Sequence, residues 1–162
     1  MTAPAAFPRP SLVVLVGAIG AGKTTWAQAN FRSNEIVSLA TLRGAVGEND
    51  HDRTATKDAY ELLERIVDVR LGRGLSVVID SDGLDDGRRS HWLAVARANS
   101  IPAWVALFTT DVETCLARDA LRTSPRPASI IKRQAVRCGE IRPVLEFQGY
   151  EVREVSTTSG EL

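Results

Sequence analysis

Apolar positions along the chain fall into two alternating rhythms, unbroken runs of strand length and stripes at three- and four-residue spacing. Leu12 to Val16 (LVVLV), Leu75 to Asp80 (LSVVID) and Ala103 to Phe108 (AWVALF) are the runs. β-Branched residues and leucines without polar alternation mark strands buried on both faces of a parallel sheet. Between the first two runs, Ala55, Ala59, Leu62, Leu63, Ile66, Val67 and Leu71 recur at helical spacing. They predict an amphipathic helix over residues 54–71, ended by Gly72 and Gly74. Further helices are predicted at 24–31, 87–99, 112–121 and from about Ala128, with a weak helical turn at 41–46 and short strands at 35–38 and 150–155. Strands alternating with helices imply right-handed crossovers. The expected architecture is α/β: a five-stranded parallel sheet in the order 2-3-1-4-5, with helices on both faces.

A length of 162 residues suits one compact domain and is short for two. The domain is placed at residues 11–155. Residues 1–10, with three prolines, are expected to form a flexible or extended lead, and residues 156–162 a tail. No apolar run of signal-peptide or membrane-spanning length is seen, so a cytoplasmic protein is expected. Cys115 and Cys138 stand apart from each other, and His51 and His91 do not fall at zinc-ligand spacing from them. Free thiols are expected. With 20 basic and 20 acidic residues, no long-range field draws the whole molecule to nucleic acid. Anion recognition must be local.

The local element is evident. Gly17-Ala18-Ile19-Gly20-Ala21-Gly22-Lys23-Thr24 satisfies GxxxxGK(S/T) and lies between a predicted strand and a predicted helix, the context the motif requires. Glycines permit backbone angles closed to other residues, so successive N–H groups, with Thr25 completing the set, can converge on phosphate at the positive end of a helix. Lys23 is expected to reach the β- and γ-phosphates and Thr24 to ligate Mg²⁺. No NKxD segment that would read guanine is present, which favours ATP. Asp80 ends the VVID strand and is the second expected metal-side oxygen.

Arg118, Arg122 and Arg126 fall four residues apart within an arginine-rich stretch, interrupted near Ser124 by SPRP. They read either as a solvated face or, preferably, as lid cations closing over the transferring phosphate. Trp26, Trp92 and Trp104 fit core packing better than base stacking. His51, between Asp50 and Asp52, fits a solvated loop better than a base.

The motifs LVVLVGAIGAGKTTWA, LRGAVGENDHDRTATKDAYELL, LSVVIDS and CLARDALR together resemble the kinase domain of bacterial polynucleotide kinase-phosphatase, within the wider zeta-toxin-like P-loop kinases. The resemblance runs from about Leu12 to Val155. It implies that Lys23 and Thr24 handle phosphates and magnesium, that Arg43 contacts the acceptor's phosphate, and that Arg118, Arg122 and Arg126 form the lid. One position departs: where the family's second strand ends in Ser-Asp, its aspartate being the base for the 5′-hydroxyl, this chain has Leu39-Ala40. After the third strand it has Asp80-Ser81-Asp82-Gly83, so Asp82 is either a relocated base or a turn-forming aspartate. The expected function is ATP-dependent phosphoryl transfer to a hydroxyl, on a polynucleotide 5′ end or a nucleoside-like small molecule, with catalytic roles for Lys23, Asp82, Arg118 and Arg122. The alternatives are a pseudokinase that signals through its nucleotide-bound shape and an ATPase that transfers phosphate only to water.

Overall fold

A computed structural model describes residues 6–157; residues 1–5 of the expected lead and 158–162 of the expected tail lie outside the described residues. Five strands, β1 (Leu12–Val16), β2 (Ile36–Ser38), β3 (Val77–Asp80), β4 (Ala103–Phe108) and β5 (Glu151–Val155), form one parallel sheet in the order β2-β3-β1-β4-β5. This is the predicted order. In register, Ser38 lies opposite Asp80, Val16 opposite Leu107, and Phe108 opposite Val155. The carboxyl ends of all five strands therefore gather along one edge, where doubly wound sheets place their ligands.

Strand alternation sorts the core into two layers. Leu12, Val14, Val16, Val77, Ile79, Val105 and Leu107 pack on one face. They meet Ala59, Leu63, Val67 and Leu71 of α3 (Thr56–Gly72), Trp92, Leu93 and Ala96 of α4 (Asp86–Ala98), and Leu145 of α7 (Arg142–Gln148). Val13, Leu15, Val78, Ala106 and Phe108 face the other way. Their partners are Ala27 of α1 (Lys23–Asn30), Cys115 of α5 (Val112–Ala120) and Ile131 of α6 (Ala128–Glu140).

Several local details differ from the sequence reading. The weak turn at 41–46 is a full two-turn helix, α2 (Leu39–Val46), because Ser38 Oγ caps it by accepting the Thr41 N–H at 3.3 Å. The segment α7 was not predicted. Pro143 reads as a breaker, yet it stands in the first helical turn, where a missing N–H costs nothing. The arginine stretch is not one helical face either: α5 stops at Ala120, and Arg122 and Arg126 belong to the loop 121–127.

Part of the lead is docked. Phe7 sits among Trp26, Phe31 and Trp104 with ring centroids 5.7–6.2 Å away, the Arg153 guanidinium lies 4.6 Å from the Phe7 ring centroid, and Arg9 pairs with the buried Glu35. Trp92 is buried in the core, while Trp26 and Trp104 join this aromatic cluster. Among the described residues no helix is long and apolar enough to cross a membrane.

Candidate active site

The loop between β1 and α1 is shaped by two left-handed glycines and a set of tied carbonyls. Gly20 and Gly22 have φ of +83° and +93°, a region that costs residues with a Cβ about 1–2 kcal/mol. Gly20 also lies so close to α5 that a Cβ there would stand 2.3 Å from the Cys115 carbonyl oxygen. Lys23 Nζ donates to the carbonyls of Gly17 at 2.7 Å and Ala18 at 2.9 Å. Thr157 Oγ1 donates to Ala21 O at 2.6 Å, Thr110 Oγ1 lies 2.9 Å from the same oxygen, and Arg118 donates to Gly20 O at 3.3 Å. With the carbonyls engaged, the first-turn amides of α1 are left as donors for an anion.

Asp80 ends β3 directly beside this loop. Thr24 Oγ1 donates to Asp80 Oδ2 at 2.7 Å, which brings together the two side-chain oxygens expected for a magnesium site. Burial raises the Asp80 pKa, opposed by the Thr24 hydrogen bond and the nearby Lys23 charge. The same burial lowers the pKa of Lys23, and the charges of Asp80 and Asp82 offset part of that. A cation and a polyphosphate fit this arrangement: hard oxygens at hydrogen-bond separation suit Mg²⁺, which takes one or two protein oxygens alongside phosphates, and an ammonium awaits an anion.

A cavity of about 420 Å³ opens over these groups. Ile19 to Thr25 form its floor. Ala40, Arg43, Asp80, Asp82, Arg122 and Arg126 line the cavity as well. Gly17 and Ala18 lie beneath the floor, at the Lys23 ammonium. Arg118 is apart from the rest: its guanidinium bonds Gly20 O and Thr157 and does not line the cavity. Asp82 makes an Asx turn, its Oδ1 accepting the Leu84 N–H at 3.0 Å, and faces the cavity as well. Arg43 donates from Nη1 to Asp50 O at 2.9 Å, while its buried Nε has no partner. His51 also lines the cavity, half-exposed and 3.4 Å from Asp50.

Three residues of this region escaped the sequence reading. Asp119, 2% exposed, accepts the Arg126 N–H at 2.7 Å and lies 3.7 Å from Arg122 Nε, so it anchors the arginine loop at both cavity-facing residues. Arg89, fully buried in α4, donates to Gly83 O and Gln148 and fixes the turn that carries Asp82. Gln134 of α6 accepts the Ile19 N–H at 3.0 Å. The last left a legible trace: it stands three residues after Ile131 and four before Cys138 on the apolar face of α6.

A central strand running into a phosphate loop, with an acid at the end of the adjoining strand, defines a P-loop kinase-like domain. A family model described as an AAA domain matches residues 12–140, and the chain belongs to that family. None of the curated proteins matches it in sequence. Among solved structures it is similar to a chain of the Pnkp1/Rnl/Hen1 RNA repair complex, at 19% identity and TM-score 0.69. That match covers 86% of this chain and 47% of the other, so the present chain spans about half of that protein's length. Kti12 of Chaetomium thermophilum, solved in complex with ADP-AlF3, matches at 21% identity and TM-score 0.64, over 93% and 92% of the two chains. A gluconokinase from Sinorhizobium meliloti 1021 matches at 17% identity and TM-score 0.61, over 94% and 86%. At these identities the likeness concerns the fold.

Proposed function

We propose that this chain is an ATP-dependent phosphotransferase that moves the γ-phosphoryl group to a hydroxyl acceptor. The observation that carries this reading is the 2.7 Å pairing of Thr24 with Asp80 beside Lys23, on the floor of a cavity that continues to Arg43 and Asp82. An ATP hydrolase needs room only for water beyond the γ-phosphate; this cavity is lined as well by Ala40 and Arg43 of α2 and by Asp82 in the turn after β3, which offers room for an acceptor. Thr24 and Asp80 would hold Mg²⁺, which would supply positive charge to the phosphate oxygens.

The acceptor oxygen attacks the γ-phosphorus, the bond from that phosphorus to the β–γ bridging oxygen breaks, and ADP leaves. Lys23, Arg122 and Arg126 stabilise the charge on the transferring group. The acceptor's proton passes to a carboxylate. Asp82 is the candidate, since Leu84 engages only Oδ1. Arg43, which lines the cavity, favours an acceptor that carries an anionic group near its hydroxyl, and the similarity to an RNA repair protein makes polynucleotide ends the first acceptors to try.

The test uses ATP labelled in its γ-phosphate, with a 5′-hydroxyl oligonucleotide, a nucleoside or no acceptor. Label transferred to an acceptor supports the reading, and label released only as inorganic phosphate leaves an ATPase. ATP binding without turnover favours the second reading, a nucleotide-binding regulatory module. Its motive is Ala40, which lines the cavity three residues before Arg43 and offers no carboxylate.

A further inference from the structure

Gln134 faces the wrong way for a surface residue. Ile131 and Cys138 on the same helix are buried, and helical spacing turns Gln134 to their side of α6. There it meets the phosphate loop. The Ile19 N–H donates to Gln134 Oε1 at 3.0 Å, and the side chain lines the cavity shared by Lys23, Arg122 and Arg126. A carboxamide has distinct acceptor and donor ends. Because a backbone N–H can only donate, the contact sets the oxygen against the loop and leaves the NH₂ group as the other end. Among the described residues, Ile19 is the one hydrogen-bond partner of this side chain.

We infer that Gln134 contacts the nucleotide itself: held at Ile19 through Oε1, it donates from Nε2 to an oxygen of the terminal phosphate of a bound triphosphate. The direction of Lys23 locates that phosphate. Its ammonium reaches back to the carbonyls of Gly17 and Ala18, and a P-loop lysine serves the β- and γ-phosphates. The arm of the loop that carries Ile19 is therefore the γ end, and Thr25, inside α1, the opposite end. A neutral amide also adds a donor among three cations without adding to their mutual repulsion. The contact to Ile19 already fixes one end of the side chain, so little of its freedom remains to be lost on binding. Gln134 thereby distinguishes triphosphate from diphosphate. This inference rests on the nucleotide-binding half of the proposed function and not on the identity of the acceptor.

The test measures ATP and ADP affinity by calorimetry, with Mg²⁺, for the full chain and two variants. Gln134→Glu keeps an oxygen for the Ile19 N–H and replaces the donor with a second carboxylate oxygen. It should weaken ATP by about tenfold or more and ADP by less than about threefold. Gln134→Met, similar in length, removes the donor without adding charge and should also lower the preference for ATP over ADP. Should the glutamate variant fail to melt cooperatively, the methionine variant decides. Equal losses for ATP and ADP overturn the inference and reduce Gln134 to a clamp on Ile19. A parent that binds neither nucleotide overturns the nucleotide site and this contact together. A parent that binds ATP but transfers nothing overturns only the phosphotransferase reading and leaves the comparison of affinities valid.

Discussion

Replacing Gly20 with alanine adds one methyl group at the most confined point of the phosphate loop. Alanine at a φ of +83° costs about 1–2 kcal/mol. The new Cβ would stand 2.3 Å from the Cys115 carbonyl oxygen, and because that atom is backbone, relief requires moving the loop or the first turns of α5. Overpacking of this kind costs about 1–3 kcal/mol. Together the two effects amount to about 2–5 kcal/mol, or a melting temperature lowered by about 4–20 °C at this chain length. The same substitution at Gly139 is the control: a Cβ there meets nothing within 4 Å, and within α6 alanine should stabilise by about 0.5–1 kcal/mol. Thermal melts and ATP titrations of both variants check the argument. Gly20→Ala should also weaken ATP binding, since relief of the clash displaces donors aimed at phosphate. A Gly20→Ala protein that melts with the parent and binds ATP equally well would refute the account of this loop.

Lys23→Met should melt above the parent without nucleotide and lose ATP binding. Burial depresses the lysine pKa below 10.5, so between the folded value and 10.5 the unfolded chain binds more protons than the native one, and parental stability should rise with pH through that window; a melting temperature flat across it, or a less stable variant, refutes the burial argument. Ala40→Asp should raise phosphorylation of 5′-hydroxyl oligonucleotides by about a hundredfold if the end of β2 faces the acceptor, read by label transfer; no gain in an ATP-binding variant would mean that the acceptor is of another kind. Arg118→Ala and Arg122→Ala should separate. The first unties Gly20 O and Thr157 and should lower both melting temperature and ATP affinity, whereas the second should lower kcat more than affinity; identical profiles for the pair contradict the placement of Arg118 outside the cavity.

The sheet was legible because its strands carry their own signal. Leu12–Val16, Val77–Asp80 and Ala103–Phe108 are apolar on both faces, and a parallel sheet with crossover helices leaves few orders to choose among. The phosphate loop was legible because its glycines answer a backbone need that is local in sequence. Residues whose positions depend on distant partners were not. Nothing near Arg118 in the sequence tells that Thr157 takes its guanidinium, and the four-residue spacing with Arg122 and Arg126 suggested a shared face that the end of α5 at Ala120 removes. The burial of Asp119 depends on a loop that folds back to bring the Arg126 N–H to it. The helix α7 was hidden by Pro143, whose effect depends on whether it stands at the start or the middle of a helix, and sequence alone leaves that undecided.

The carbonyls of Gly17, Ala18, Gly20 and Ala21 are all tied within the protein itself, by Lys23, Arg118 and the two threonines. That has a kinetic consequence. A loop that must fold around its ligand shows an association rate that levels off at the rate of folding, whereas a socket already formed shows a rate proportional to concentration. Mixing experiments with a fluorescent ATP analogue should give the second behaviour, a single phase rising linearly with concentration. Saturation at high nucleotide would mean that these ties break and re-form on each visit, and that Thr157, over a hundred residues away from the loop in sequence, sets the tempo of exchange.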